Sequence, residues 1–300
     1  MPIASYAVLR CCLRFAGVFA MCSATASLTG CYLPKTNPSF DVETCEASAA
    51  LTQLRKDPRP LHRPLVIVGG WIDPGFGPAI FARRVQQATG DNRVLPIDMA
   101  FAFTMESARQ RLIERVIERF GVDEHGQPLE VDVVGLSMGG LVARYAALPV
   151  QPDRERSPDL PLLRIARLYT VASPHRGAQM APIPTFDDRV IDMRPGSDFL
   201  LYLDTAGDPA ISPQAQPPPH GVLEARLGYP ITAYAVVPDH IVGSANSTPS
   251  DRFPHWIDPP LITLSPHLSA LKDPRIAADI LLRVLGEPPL ASDEPAPLPD

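Results

Sequence analysis

The sequence predicts an α/β domain with a mostly parallel central sheet and helices on both faces. Three observations predict it. Short, wholly apolar runs such as Leu65-Val66-Ile67-Val68 recur along the chain, and a strand without polar alternation must be covered on both sides. Segments with helical apolar spacing lie between these runs. One run passes through Gly135-Leu136-Ser137-Met138-Gly139 directly into a predicted helix, a sharp strand-to-helix turn.

The first strand is Leu65–Val68, preceded by Pro58, Pro60 and Pro64, which end a short helix predicted over residues 43–56. Residues 93–97 form the second strand. Over 105–120 the apolar residues Met105, Ala108, Leu112, Ile113, Val116, Ile117 and Phe120 share one face, and Gly121 supplies a stop. Strand 131–135 leads into helix 138–148. Strands follow at 164–171, 230–237 and 261–264, and a helix over 268–285 closes the fold. The interval from about 176 to 228 breaks this rhythm with Pro-rich stretches and reads as a cap insertion over the sheet. Its apolar residues, among them Met180, Ile183, Phe186 and Phe199, make it a roof for an apolar pocket. On this reading, replacing residues 180–220 by a Gly-Ser linker leaves activity on acetate esters and removes the preference for longer ones. Residues 31–60 read as a polar tether and short helix, 61–286 as the folded domain, and 287–300 as a Pro-rich disordered tail.

Composition bounds the function. Hydrophobic residues make up 45% and charged residues 20% of the 300, an ordinary globular balance. Proline is high at 36, against about 5% in average usage. The net charge of −6 offers no basic excess for a phosphate backbone, so no nucleic-acid partner is expected. Five cysteines without a CxxC pair argue against a structural zinc site. No metal cluster and no cofactor fingerprint emerges.

The first thirty residues are laid out as a secretory signal. Arg10 and Arg14 precede the apolar run Phe15–Cys22, which is shorter than the roughly 20 residues of a membrane span. The segment ends in Leu28-Thr29-Gly30-Cys31, which resembles the lipobox of bacterial lipoproteins. The resemblance implies cleavage before Cys31, lipidation of Cys31, and an envelope protein anchored to membrane by lipid, at the outer membrane on its periplasmic or surface side. Oligomeric state is not legible.

Ser137 is the candidate nucleophile. A serine between Gly135 and Gly139 at a strand-to-helix turn is lifted above the strand ends, and it opens a helix whose N–H groups face a developing anion. The stretch Val133-Val134-Gly135-Leu136-Ser137-Met138-Gly139-Gly140-Leu141-Val142-Ala143-Arg144 resembles the nucleophile elbow of the α/β-hydrolases, in particular bacterial lipases and related acyl hydrolases. Thr170-Val171-Ala172-Ser173-Pro174-His175-Arg176-Gly177 independently resembles the "TPHRG" segment of the same families. The likeness runs from about Leu65 to Leu285. It implies an α/β-hydrolase fold, a serine ester hydrolase of lipase or esterase type, and an ester or lipid substrate.

In that fold the chain order is Ser, acid, His. His267, between the last predicted strand and the last helix, stands where the base belongs. His175 is its rival among the other histidines after Ser137, which include His240, while His220 and His255 lie in an insertion and a loop. Asp239, after the strand 230–237, is the candidate acid, with Asp258 and Asp208 as alternatives. The resemblance assigns the oxyanion-hole N–H groups to Met138 and Trp71, with Gly69 where lipases usually carry histidine. The loop Trp71–Phe81, with Ile72 and Phe76, could line an acyl pocket. An acyltransferase would use the same triad, and a non-catalytic envelope lipoprotein would use only the scaffold.

Overall fold

In Leu65–Val68 (β1) every side chain is buried, because the strand packs on both faces. Val66 and Val68 point into one apolar cluster and Leu65 and Ile67 into another, as the two-residue period of a strand requires. The computed structural model describes residues 35–151, 160–182, 184–208, 217–219, 221–259 and 265–299. The signal segment, Cys31, His220 and the predicted strand 261–264 lie outside them. A compact unit spans Thr36–Asp300.

Among the described residues its sheet has six strands, all parallel, in the order β2-β1-β3-β4-β5-β6. Beyond β1 these are Val94–Ile97 (β2), Val131–Leu136 (β3), Ile165–Val171 (β4), Ile231–Val236 (β5) and His255–Ile257 (β6). One face is covered by Met105–Phe120 (α3) and Met138–Ala146 (α4), the other by Thr44–Lys56 (α1), Phe76–Thr89 (α2) and Pro274–Leu285 (α9). With its Ser-bearing turn after β3, this is the α/β-hydrolase fold. Helix α3 has the predicted bounds. Thr104 and Ser107 cap each other's N–H at 3.0 Å, and the N–H of Gly121 closes on the carbonyl of Ile117 at 2.8 Å. No helix among the described residues is long and apolar enough to cross a membrane.

The structure corrects six expectations. The stretch read as a loop through Phe81 becomes helix at Phe76. Gly75 adopts φ 98° as its cap, and Pro78 sits in the first turn, where its missing N–H costs nothing. Phe81 is consequently buried in the core, not in a pocket. The closing helix is broken in two. Pro274 forces Asp273 into extended backbone, so a short turn, Pro266–Ser269 (α8), precedes α9. His255 lies in β6, not in a loop, and its ring stacks on Tyr234 at 5.5 Å and against Phe40 at 6.4 Å.

The Pro-rich C-terminus is packed. The carboxylate of Asp279 is fully buried and accepts the N–H groups of Leu290 at 2.6 Å and Ala291 at 2.8 Å. The indole of Trp256 donates to the carbonyl of Pro297 at 2.9 Å. Ser292 and Ala296 bond to Ser39, and the Asn37 side chain donates to the Trp256 carbonyl at 2.6 Å, so from Asn37 on the "tether" is packed as well. Buried donors and acceptors that need partners decide this order, which composition does not register.

The sixth correction concerns the segment 176–228. It is an insertion, with short helices Asp188–Asp192 (α5), Asp198–Asp204 (α6) and Val222–Leu227 (α7), but it is not a detachable roof. Phe199 and Leu203 are fully buried in the cluster beneath α4, and Phe199 meets Tyr145 edge-on at 5.3 Å. Removing 180–220 therefore opens the main core.

Burial of His255 yields an expected pH dependence of stability. Desolvation lowers its pKa to about 4, and its Nδ1 has no partner among the described residues. Unfolded, the group titrates near 6.5. Between those values the unfolded chain binds a proton that the folded chain does not. Stability therefore falls as pH drops from about 6.5 to about 4, by up to about 3 kcal/mol from this group. In His255→Phe, whose ring fits the same stack, urea unfolding at pH 7 and pH 4.5 should show a smaller loss than wild type. Equal losses would remove His255 as the cause.

Candidate active site

All the sequence-predicted site residues within the described chain lie on segments that leave the C-terminal edge of the sheet, where parallel α/β sheets bind ligands. Ser137 follows β3 directly at φ 51°, ψ −125°, a strained region for a residue with a side chain. Its N–H is held by the carbonyl of Val171 at 2.9 Å. The glycines around it are required by backbone contact. A Cβ on Gly135 would sit 2.4 Å from the Cα of Gly140, and one on Gly139 would sit 2.3 Å from the carbonyl oxygen of Val68. Gly140, which the sequence pattern did not single out, is as constrained, since its Cβ would lie 2.3 Å from Ser173 Oγ.

His267 comes from α8 and Asp239 from the turn after β5. His267 Nδ1 is 2.8 Å from Asp239 Oδ2, and His267 Nε2 is 3.0 Å from Ser137 Oγ. The carboxylate accepts only, so the imidazole donates from Nδ1 and presents a lone pair at Nε2 to the serine hydroxyl. Asp239 Oδ1 is occupied separately, by the N–H groups of Ile241 at 2.9 Å and Val242 at 3.0 Å. Burial by itself would raise this carboxyl. The hydrogen bond and charge of His267 and those two N–H groups outweigh it, holding Asp239 below the usual carboxylate value. Ser244, which the sequence did not single out, braces the turn: its hydroxyl receives the Asp239 N–H at 3.2 Å and donates to the Val236 carbonyl at 2.7 Å.

His175 takes a different role. It is fully buried and both ring nitrogens are engaged, Nδ1 with Arg144 Nη1 and Nε2 with Thr170 Oγ1, each at 3.1 Å. Arginine can only donate, so Nδ1 accepts and Nε2–H donates to the threonine. Burial, with the charges of Arg144 and Arg176, holds the ring well below its ordinary pKa and neutral. Arg144 continues to the Leu203 carbonyl at 2.9 Å and to Asp204 at 3.1 Å, so this cluster ties α4 to the insertion. The alternative acid Asp258 follows β6, its carbonyl taken by Arg275 at 2.9 Å, and Asp208 lies beyond α6.

Met138 opens α4 next to the serine and is fully buried. Trp71 follows Gly70, whose backbone passes so close to the nucleophile that a Cβ there would be 3.2 Å from Ser137 Cβ. Trp71 and Ile72 are exposed, as is Phe76. Among the described residues no group of three or more His, Cys, Asp or Glu could hold a metal ion.

No protein-family model matches the chain, and no curated protein matches it in sequence. Solved structures do. The mature lipase BlEst2 of Bacillus licheniformis is 14% identical over 76% of this chain and 94% of its own, with a TM-score of 0.45. The phospholipase PlaB of Legionella pneumophila is 12% identical over 78% of this chain and 61% of its own, with a TM-score of 0.48. A lipase-esterase related protein of Clostridium acetobutylicum is 10% identical over 73% and 94%, with a TM-score of 0.38. These identities and scores are low, and the functional reading of this chain rests on its own residues.

Proposed function

We propose that this chain is a serine hydrolase that cleaves carboxylic esters. The observation that carries the reading is the continuous hydrogen-bond chain Asp239–His267–Ser137, ending on a serine held at positive φ above the strand ends. Serine is a weak nucleophile until a base takes its proton. Here His267 Nε2 takes it as Ser137 Oγ attacks the ester carbonyl. Asp239 keeps the imidazole in the productive tautomer and stabilises its cation. The carbonyl oxygen becomes an anion, received by the backbone N–H groups of Met138 and Trp71. Collapse expels the alcohol with the proton from His267. A water molecule, deprotonated by the same histidine, then attacks the acyl-enzyme, and the carboxylic acid leaves with Ser137 restored.

The surroundings favour an apolar substrate. Ile72, Phe76, Phe101, Phe103, Phe186 and Leu268 are all exposed, and all lie on segments that leave the sheet at the same edge as Ser137. Each acyl methylene taken out of water against such groups is worth about 0.8 kcal/mol. The test is hydrolysis of p-nitrophenyl esters of increasing chain length by wild type and Ser137→Ala. Wild type should hydrolyse them, with kcat/KM rising from acetate to longer chains, and the variant should fall to background. Wild type no faster than Ser137→Ala on every ester would overturn the reading.

For the N-terminus we propose lipid attachment at Cys31, which would hold the enzyme at the bacterial envelope. Leu28-Thr29-Gly30-Cys31 after an apolar run supports it, and two or more acyl chains anchor firmly where one does not. A palmitate analogue should label wild type in a bacterial host and not Cys31→Ser. An unlabelled wild type would refute the anchor.

A further inference from the structure

The loop after β1 is held from outside by the insertion. The indole Nε1–H of Trp71 donates to Asp187 Oδ2 at 2.8 Å, across 116 residues of chain. Asp187 is itself gripped by Arg189, with Nη2 on Oδ2 at 2.8 Å and Nε on Oδ1 at 3.0 Å. Arg189 is 2% exposed, and its remaining Nη1 donates to the carbonyl of Met99 at 3.2 Å. The N–H of Met99 returns to the carbonyl of Asp73 at 3.4 Å, and the N–H of Asp73 to the carbonyl of Gly70 at 3.3 Å. The bonds thus form a closed circuit through the loops after β1 and β2 and the insertion.

Inside this circuit the backbone is strained. Ile72 has φ 51°, a conformation that a β-branched residue adopts only where its surroundings impose it. The strained residue directly follows Trp71, and Gly70 lies against Ser137. If the loop relaxed at Ile72, the Trp71–Ile72 peptide would turn, and with Asp73 held to Gly70 and Met99 a compensating rotation would fall on Trp71 and swing its N–H. Such relaxation is resisted on one side by the Gly70–Asp73–Met99 bonds and on the other by the indole fixed to Asp187.

We infer that Asp187 is a positioning residue for the oxyanion hole: through the Trp71 indole it fixes the direction of the Trp71 backbone N–H. The inference rests on the ester-hydrolase reading above. It gives the insertion a part in the chemistry, because the same Asp187 also caps α5, accepting the Arg189 N–H at 3.0 Å. Arg189 holds the Asp187 carboxyl below the usual value, so the acceptor stays charged across the neutral range. An N–H aimed at the oxyanion acts mainly when the anion has formed, so its misalignment lowers kcat and leaves KM nearly unchanged.

The informative variant is Trp71→Phe, which keeps the backbone N–H, an aromatic ring and the Asp187–Arg189 pair and removes the indole donor together with the second ring. Deleting an oxyanion donor outright costs about 10²–10³ in kcat, so a misaligned one should cost roughly 10–100-fold. KM for p-nitrophenyl butyrate should stay within about two-fold. The rate of phosphonylation by a fluorophosphonate, whose P–O oxygen occupies the same hole, should fall in parallel. Asp187→Glu, which keeps a carboxylate to accept from the indole and from Arg189, should lose less than Asp187→Ala. The effects of Trp71→Phe and Asp187→Ala should not add, because both break one bond. Since Asp187→Ala leaves buried Arg189 unpaired and could unfold the protein, Trp71→Phe decides the matter by itself. A Trp71→Phe enzyme with kcat within two-fold of wild type, or with only KM changed, overturns the positioning role. A wild type without Ser137-dependent hydrolysis overturns the ester-hydrolase reading instead.

Discussion

A fluorophosphonate will label the wild-type protein at Ser137 and leave Ser137→Ala unlabelled. The probe reports the property that distinguishes this serine from the others among the described residues: a hydroxyl 3.0 Å from an imidazole nitrogen. Ser137 Oγ attacks phosphorus, His267 takes the proton, fluoride leaves, and the adduct remains. His267→Ala should slow both labelling and ester turnover on the order of 10³-fold or more, with the fold retained. The matched control is His175→Ala. That histidine has no free nitrogen and accepts at Nδ1 from Arg144, so its loss leaves the buried Arg144 Nη1 without that acceptor while Nη2 keeps Leu203 and Asp204. The expected result is a lowered melting temperature, since an unpaired buried partner costs about 1–3 kcal/mol or more, with Ser137 still labelled in the protein that remains folded. Wild-type labelling of Ser137→Ala would overturn the nucleophile. A folded His267→Ala that labels at the wild-type rate would overturn the base.

How far these positions were legible in the sequence follows from the range of the forces that set them. The elbow is local. Gly135 and Gly139 flank Ser137 because the turn brings their α-carbons against backbone within a few residues or on the adjacent strand, and sequence spacing records that. Asp239 and His267 lie far along the chain from Ser137, and it is the resemblance to the α/β-hydrolases, with its chain order of serine, acid and histidine after strand ends, that points to them. What escaped the sequence was fixed by partners without local signature. The stretch Trp71–Phe81 reads as a loop, yet a helix starts within it at Phe76, because the glycine cap at Gly75 and the early Pro78 are compatible with a first turn. β6 is only three residues long, too short for alternation to show. The C-terminal prolines are ordered by Asp279 and Trp256, which supply an acceptor and a donor from elsewhere in the chain. Asp187 and Ser244 are, in sequence, two polar residues among many. Only the fold places one on the Trp71 indole and the other under the acid turn.

Asp239→Asn should lower kcat by about 10⁴-fold while leaving the protein folded, an effect of the size expected when a triad histidine is forced into the wrong tautomer. The geometry dictates which way the amide will turn. Two backbone N–H groups, of Ile241 and Val242, point at the position of Oδ1 at 2.9 and 3.0 Å. An amide NH₂ placed there would face two donors, so the amide oxygen must occupy that position. The NH₂ then takes the place of Oδ2, 2.8 Å from His267 Nδ1, and donates to it. The imidazole can satisfy that donor only by carrying its proton on Nε2, the nitrogen that faces Ser137 Oγ. The base is then protonated where it should accept, and the serine keeps its hydrogen. Because no backbone bond to residue 239 is lost, the melting temperature should stay near that of wild type. Ring-nitrogen NMR should find the His267 proton on Nδ1 in wild type and on Nε2 in the variant. A folded Asp239→Asn enzyme within ten-fold of wild type, or one whose proton remains on Nδ1, would show that another group orients His267.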